Sequence, residues 1–321
     1  MKILGISCEH DSGAALIIDG KHVAACNEER FSRKKFATAF PKESIRHVLE
    51  TAGLKASDLD QVVLASQMHV PEYRLDWNAK VKPLDGALWL TEKTNTVRLI
   101  LGTDTGNAIA FHSLKNFFNR TRNLNLEKNI PLSGIAEPTS TVHHHLCHAY
   151  GAVAGSGYDE CLVLTLDGSG DALCSVFGHY TKKQGLKILS RIPMFHSPGH
   201  YYLYMTHLFG YAMGREGKLT GMAALGDSSK TKSIFDTRMG YNETECRFEN
   251  HGSYREPEIN FLKKAFQNFS KEDIAAGLQS NLEDVVVRHI KALTKKFGYT
   301  NLPLALSGGV FANVRLNQIV S

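Results

Sequence analysis

The chain has few features of a membrane or secreted protein. None of its apolar runs approaches the length of a membrane span, and the N-terminal sequence MKILGISCEH turns polar too early for a signal peptide. The six cysteines show no CxxC pair and no framework spacing, which argues against a disulfide scaffold and favours a reducing compartment. The sequence therefore predicts a cytoplasmic protein without a membrane partner.

An excess of charge of one sign is also lacking. The net charge is only +5, and acidic and basic residues are mixed throughout the sequence. The most basic stretch, RFSRKK at 30–35, is short and carries no alternating series of stacking aromatics. We therefore expect no nucleic-acid partner, while the mild positive charge suits an anionic small molecule. With 321 residues, 43% of them hydrophobic, the chain can bury the core of a two-lobed globular protein.

The most informative feature is a pair of histidines four residues apart. His144 and His148 would share one face of a helix, where two imidazoles can hold one metal ion. The metalloprotease motif would need Glu at 145, where this chain has His145. We therefore look elsewhere for a third ligand, and Asp167 is the best candidate. Two alternatives stay open, namely a pairing of His143 with Cys147, which are also four apart, and a merely polar helix start.

Asp167 is followed by a glycine-rich segment, LDGSGD at 166–171. An apolar, strand-like run ends at this point, so we expect a turn to begin at Asp167. Backbone amides in such a turn can cradle a phosphate group. The predicted phosphate-binding residues follow directly: Gly168, Ser169, Gly170 and Asp171.

Two further patches lie near the N-terminus. His10 and Asp11 precede small residues in a turn between two strand-like runs, where they could act as a base and its orienting group, or simply form a surface turn. The segment 28–35, EERFSRKK, ends with Lys35 and alternates acid and base, as a solvated charged edge also would.

Two glycine-containing patches lie in the second half. Lys218 stands among glycines in GREGKLTGMA at 214–223, which suggests a ligand-facing turn although the spacing is not that of a Walker A loop. Gly308, Gly309 and Asn313 belong to SGGVFAN, where a strand ends in a double glycine before a helix. Taken alone, the first could be a solvated turn and the second a plain tight turn.

The order of apolar runs predicts an α/β fold. A strand, a hairpin and a helix occur near the start of each half, and Asp19-Gly20 is a strong hairpin signal. Such a duplication suits an actin-like, sugar-kinase-like fold with a nucleotide between two lobes. We expect lobes of about 1–155 and about 156–321, with an irregular insertion at 67–136. The expected strands are 2–7, 12–19, 21–28, 62–66, 161–166, 172–180, 186–193 and 304–306. A helix is expected at 44–52, and 258–297 are expected to be mostly helical.

As an ordered set, these motifs resemble one family. The chain resembles the nodulation-type and antibiotic O-carbamoyltransferases, whose N-terminal domain is similar to enzymes of tRNA threonylcarbamoyl transfer and hydrogenase maturation. The resemblance covers 1–66 and 140–321 well and the middle poorly. Its motifs are HDSGAAL (10–16), EERFSRKK (28–35), FP (40–41), HHLCHA (144–149), LDGSGD (166–171), EGKLTGMAALG (216–226) and SGGVFANVRLN (307–317).

The resemblance implies an actin-like/sugar-kinase-like (ASKHA) ATPase fold and a divalent metal of the Fe(II) type, bound by His144, His148 and Asp167. It also implies a further Asp ligand beyond the double glycine, and a YrdC-like domain that makes carbamoyladenylate from carbamoyl phosphate and ATP. Neither lies within the 321 residues. We therefore expect a fold that is incomplete at its C-terminus, that is, a truncated N-terminal carbamoyltransferase domain.

The activity expected from the resemblance is ATP-dependent O-carbamoyl transfer to a hydroxyl of a small-molecule or glycan acceptor. The adenylate would lie near Gly308, Gly309 and Asn313, and its phosphate near the metal. His10 would take the hydroxyl proton, with Asp11 as the next choice, and Lys35 and Lys218 would stabilise anionic oxygens.

The expected partners are the acceptor and carbamoyladenylate, and a homodimer is a candidate assembly. Two alternatives remain, a catalytically incomplete nucleotide-binding domain and a metal-dependent hydrolase or kinase of the same fold.

Overall fold

The computed structural model describes residues 1–36, 40–66, 102–109 and 140–321. The chain divides into two compact units. The first holds the described residues up to 66 and 140–147, and the second holds 102–109 and 148–321. The predicted lobe boundary near 155 stays a prediction. Of the predicted insertion at 67–136, all but 102–109 lies outside the described residues. Within the described part, no helix is both long and apolar enough to cross a membrane.

The first unit is built on a five-stranded sheet. Its strands are β1 (Lys2–Ser7), β2 (Gly13–Ile18), β3 (Lys21–Asn27), β4 (Gln61–Ala65) and β5 (Ser140–Val142), in the spatial order β3-β2-β1-β4-β5. The first three pair antiparallel, whereas β4 runs parallel to β1 and β5 parallel to β4. The hairpin predicted at Asp19-Gly20 is confirmed, because both residues have positive φ, 49° and 76°.

Within the described residues, helix α2 packs on this sheet. The short α1 (Glu29–Ser32) precedes α2 (Lys42–Thr51), and the apolar residues of α2 recur at helical spacing. They pack on the alternate, inward-facing residues of the strands. The buried core consists of Leu4, Ile6, Ala14, Leu16, Ile45, Val48, Leu49, Val62 and Leu64.

The second unit repeats part of this strand arrangement. Its main sheet has the order β11-β6-β7-β8, from β6 (Glu160–Gly170), β7 (Leu173–Thr181), β8 (Gly185–Pro193) and β11 (Leu304–Ser307). Again three consecutive strands pair antiparallel, and a later strand runs parallel to the first of them. The strands and helices confirm the predicted α/β class, and the repeated topology agrees with the predicted duplication. A separate hairpin of β9 (Met239–Asn242) and β10 (Arg247–Asn250) was not predicted.

Helices complete the fold. The predicted helix at the histidines is α3 (His144–Ser156), and the mostly helical region 258–297 is confirmed as α7 (Glu256–Ala265) and α8 (Lys271–Phe297). The Ser270 side chain caps the start of α8, and Gly298 ends it with φ 74°. Further helices among the described residues are α4 (Gly199–Leu208), α5 (Gly217–Ala223), α6 (Lys232–Asp236) and α9 (Val314–Val320), and 104–109 are also helical.

Two local predictions are wrong. The turn expected to begin at Asp167 is instead an irregular part of β6, which continues to Gly170, and the chain reverses at Asp171 and Ala172 with φ of 48° and 67°. The reason is the pairing of Gly170 with Leu173, which keeps the segment in the sheet although the register shifts. Lys218, expected in a turn, lies in the first turn of helix α5. The neighbouring Leu219 is fully buried, and its packing stabilises the helix at this point.

Candidate metal and nucleotide site

Helix α3 presents the two predicted histidine ligands on adjacent turns. The helix begins directly after β5, and the carbonyl of His143 accepts hydrogen bonds from the amides of residues 146 and 147. Ala149 and Val153 anchor the helix by packing against Cys161 of β6 and Ala305 of β11. Because α3 is one continuous helix, the four-residue spacing of the histidines becomes a shared face.

His148 is held between a carboxylate and a hydroxyl. Its Nε2 lies 3.0 Å from Oδ2 of Asp167, and its Nδ1 lies 3.3 Å from Oγ of Ser307. The other oxygen of Asp167, Oδ1, accepts the amide of Gly168 at 2.9 Å. The Asp167 carbonyl accepts the Ser197 hydroxyl at 2.7 Å. Helix α3 and strands β6 and β11 therefore each supply polar groups to one cluster.

His144 is held by a different pair of residues. Its Nδ1 lies 3.2 Å from Oε2 of Glu9, and Oε1 of the same carboxylate accepts the Ser66 hydroxyl at 2.9 Å. The side chains of His144 and Glu9 are only 12% and 19% exposed. Neither Glu9 nor Ser66 was identified from the sequence.

The three predicted ligands can share one cation. Within the described residues, His144, His148 and Asp167 form a group whose ligand atoms all lie within 4.8 Å of one another. Metal–ligand bonds of about 2.1 Å place ligand atoms up to roughly 4.2 Å apart, so small side-chain movements would close the site. Two imidazoles and one carboxylate are the donor set typical of non-haem Fe(II). The residues therefore fit the implied metal.

The double glycine lies against the strand that carries Asp167. A Cβ atom on Gly308, whose φ is 104°, would lie 2.4 Å from the carbonyl oxygen of Leu166. A Cβ on Gly309 would lie 2.9 Å from Oδ1 of Asp167. Only residues without side chains allow this approach, and they leave exposed backbone beside the carboxylate. Gly308 and Gly309 therefore lie directly against Asp167 and the strand that carries it.

The remaining members of the predicted phosphate cradle differ in exposure. Ser169 is exposed, whereas Gly170 and Asp171 are buried. The amide of Gly168 already donates to Asp167. The exposed part of the cradle is thus narrower than the predicted four residues.

Asn313 has its side chain engaged within the protein. Its Oδ1 accepts the Leu316 amide and caps α9, and its Nδ2 donates to Gln279 Oε1 at 2.8 Å and to Tyr202 at 3.4 Å. Gln279 Nε2 also lies 3.3 Å from Asn313 Oδ1. Asn313 therefore fixes the segment that follows the double glycine.

Of the predicted catalytic residues, His10, Lys35 and Lys218 are exposed and Asp11 is half-buried. His10 Nδ1 lies 3.1 Å from Oδ2 of Asp11, and Asp11 has a φ of 59°. Lys35 is exposed beyond α1. The Lys218 ammonium lies 4.6 Å from the ring centre of Tyr211, an exposed cation–π arrangement. Each lysine therefore presents an exposed positive charge that an anionic ligand could contact.

The sequence interpretation missed His200 and Gly199 at the start of α4. A Cβ on Gly199 would lie 3.2 Å from the amide nitrogen of Gly168, so the helix approaches the segment after Asp167 closely. His200 packs against the rings of Tyr204 and Tyr254. Burial, assisted by the positive charge of Arg255 and opposed by Asp167, lowers the pKa of His200 to about 4. The only sequence signal was a glycine preceding a histidine.

Comparisons with known proteins agree with the motifs. Residues 2–321 match the family model described as carbamoyltransferase N-terminus. Nodulation protein NolNO of Sinorhizobium fredii is 28% identical over 337 aligned residues, which cover 96% of this chain and 42% of that protein. An uncharacterised protein of Synechocystis is 30% identical over 98% of this chain and 51% of its own length. The chain spans about half the length of the curated relatives it matches.

Two solved structures are similar over the whole chain. The activator of 2-hydroxyisocaproyl-CoA dehydratase from Clostridium difficile, with bound ADPNP, has a TM-score of 0.48 and 12% identity, and 84% of it is covered. Component A of (R)-2-hydroxyglutaryl-CoA dehydratase from Acidaminococcus fermentans has a TM-score of 0.49 and 16% identity, and 87% of it is covered.

Because the family model spans nearly every residue, the chain belongs to the carbamoyltransferase N-terminus family.

Proposed function

We propose that this chain is the transfer domain of an ATP-dependent O-carbamoyltransferase. The observation that carries the proposal is the meeting of His148 and Asp167 with the double glycine at Gly308 and Gly309, in a chain of this family. The carbamoyl donor would be carbamoyladenylate, made from carbamoyl phosphate and ATP. The acceptor would be a hydroxyl of a small molecule or glycan.

A divalent metal, of the Fe(II) type, fits the donor set of His144, His148 and Asp167. When bound, it would act as a Lewis acid and template for the phosphate of the adenylate. The protein's own part is to hold the three ligands, which α3 and β6 do through buried anchors such as Ala149. These anchors limit the rearrangement that binding requires.

The nucleotide would lie along the exposed backbone beside Asp167. Gly309 is exposed and carries no side chain to block a phosphate or ribose, and Ser169 offers a hydroxyl nearby along β6. Asn313 would contribute by fixing this backbone through its cap on α9. Lys35 and Lys218 would neutralise anionic oxygens as point charges.

The proton of the acceptor would go to His10. A hydrogen bond from Nδ1–H to Asp11, 3.1 Å away, leaves Nε2 as the basic nitrogen. As the acceptor oxygen forms its bond to the carbamoyl carbon, its proton passes to this nitrogen and AMP leaves with the electrons of the broken bond.

The test is transfer of a labelled carbamoyl group from supplied carbamoyladenylate to a panel of hydroxyl acceptors, with the full-length protein. We expect His10→Ala to lower transfer about 10²–10⁴-fold while metal content and the thermal melt stay unchanged. The control is His22→Ala, which alters an exposed histidine on β3. Transfer at the parent rate by a stable His10→Ala protein would move the base to Asp11.

Two other outcomes would replace the proposed activity. Release of AMP and carbamate without any labelled acceptor would indicate a hydrolase. Binding of the adenylate without turnover in every condition would indicate a nucleotide-binding domain that lacks catalysis. The cytoplasmic location and the homodimer remain proposals, which cell fractionation and light scattering would test.

A further inference from the structure

Glu9 lies just beyond the C-terminal end of β1, the central strand of the first sheet. It follows β1, while Ser66 follows β4, and these strands are parallel neighbours with Ile6 opposite Leu64. Strand β5, parallel to β4, leads directly into His144. The ends of three parallel strands therefore bring one carboxylate, one hydroxyl and one imidazole together.

Both oxygens of the Glu9 carboxylate are used in this group. Oε2 lies 3.2 Å from Nδ1 of His144, and Oε1 accepts the Ser66 hydroxyl at 2.9 Å. Ser66 is 1% exposed and has a φ of 70°, so its hydroxyl is held by a fixed backbone. This second bond fixes the carboxylate, and the carboxylate in turn fixes the plane of the imidazole.

We propose that Glu9 is a positioning residue for the metal site, which holds His144 in the tautomer that binds the metal through Nε2. The inference rests on the proposed metal site. A carboxylate that accepts Nδ1–H selects this tautomer, orients the ring and makes Nε2 a stronger donor to a cation. Glu9 itself would not bind the metal.

The second histidine is supported differently. The group 3.3 Å from His148 Nδ1 is the neutral hydroxyl of Ser307, rather than a carboxylate. Hydrogen bonds to charged groups are roughly twice as strong as bonds between neutral groups. We therefore expect the loss of Glu9 to weaken metal binding more than the loss of Ser307.

The experiment measures metal affinity of the full chain, not turnover. The metal-free protein is titrated with Co²⁺ under reducing, anaerobic conditions in competition with a chelator, and the visible spectrum of bound Co²⁺ is recorded. We expect Glu9→Gln to lower Co²⁺ affinity about 10–100-fold and to shift the spectrum, with unchanged stoichiometry at saturation. Ser307→Ala should lower the affinity less, and Glu50→Gln, an exposed substitution on α2, should not change it.

A charged replacement separates positioning from folding. If Glu9→Gln lowers the melting temperature of the metal-free protein, Glu9→Asp is compared with it, because it keeps the charge. Affinity recovered by Glu9→Asp at the same melting temperature supports the proposal. Weak binding by both variants, in proportion to their loss of fold, overturns it.

The remaining outcomes are distinct. Parent-like affinity and spectrum in Glu9→Gln overturn the role of Glu9 and leave the metal site intact. Complete loss of stoichiometric binding, as in His144→Ala, would make Glu9 a ligand and overturn the positioning role. Failure of the unmodified chain to bind Co²⁺, Fe²⁺ or Zn²⁺ would overturn the metal site itself, and the inference with it.

Discussion

Nε2 of His148 lies 3.0 Å from Oδ2 of Asp167, and this contact joins helix α3 to strand β6. The connection between these elements is only three residues, 157–159, so the helix must fold back on the strand that follows it. Burial of Ala149 and Val153 against Cys161 holds that arrangement. This packing keeps His148 and Asp167 in contact although they are 19 residues apart in the sequence.

The first prediction concerns the metal ligands. His144→Ala and His148→Ala should each remove most of the bound metal, because each deletes one of the three proposed ligands. Metal analysis of the purified variants measures this. His143→Ala is the matched control, since the Nδ1 of His143 accepts the His145 amide and belongs to the helix start. An unchanged metal-to-protein ratio in both ligand variants would contradict the site. Loss of metal in His143→Ala alone would assign the metal to the alternative pair, His143 and Cys147.

The second prediction separates the two adjacent glycines. Gly308→Ala should destabilise the fold by about 1–3 kcal/mol, because its Cβ would meet the Leu166 backbone and its φ of 104° favours glycine. Gly309→Ala should cost less stability, since its Cβ meets only the side chain of Asp167. It should instead weaken metal binding about 10-fold or more by displacing that carboxylate. Urea unfolding and metal titration together distinguish the two, and equal effects of both variants would contradict the geometry.

Local signals made most strands and helices of the fold predictable. The Asp19-Gly20 turn, the alternating apolar strands and the long helical region depend on neighbours in sequence, so the pattern alone located them. The histidine pair was predictable for the same reason, because both members lie on one helix. Asp167 could be inferred as its partner only from residue type and from the family resemblance.

The supporting residues were not predictable, because their contacts are distant in sequence. Glu9 is 135 residues from His144, and a lone acidic residue beside a histidine gives no sign of that partner. Gly199 likewise shows its role only when Gly168 lies against it. The turn was misplaced by four residues because the pairing of Gly170 with Leu173, set by the whole hairpin, outweighs the turn preference of the glycines.

The third prediction concerns Glu28, which the sequence suggested was part of a charged edge. It is buried, and its carboxylate accepts three hydrogen bonds at the start of α2, from the amide and hydroxyl of Ser44, both at 2.8 Å, and from the Glu43 amide at 3.2 Å. Glu28→Ala should destabilise the first unit by about 2–4 kcal/mol, because it leaves these donors unpaired.

Hydrogen exchange of the α2 amides and urea unfolding measure this loss. Glu50→Gln is the control, because it breaks only an exposed ion pair with Arg46 and should change stability by less than about 0.5 kcal/mol. Similar protection of α2 in Glu28→Ala and the control would show that Glu28 does not cap the helix.

The last prediction is an acid sensitivity located at His289 on α8. Its ring is 1% exposed, lies 4.4 Å from the ring centre of Phe248, and has Nδ1 3.3 Å from the Tyr241 hydroxyl. Burial lowers the pKa of His289 to about 3. In the unfolded chain a histidine has a pKa of about 6.5, so below that pH the unfolded state binds a proton that the folded state does not. Stability must therefore fall with decreasing pH, by up to about 1.4 kcal/mol per pH unit, until the folded pKa is reached.

The substitution His289→Gln removes this titrating group. Between pH 6 and pH 4 we expect the free energy of unfolding of His289→Gln to depend less steeply on pH than that of the parent, by about one proton. Urea unfolding at several pH values gives both slopes. His22→Gln, at an exposed position on β3, is the matched control and should keep the parent slope. An unchanged slope in His289→Gln would mean that the buried imidazole takes up its proton without unfolding, which the apolar contacts of Phe248 and the burial of the ring oppose.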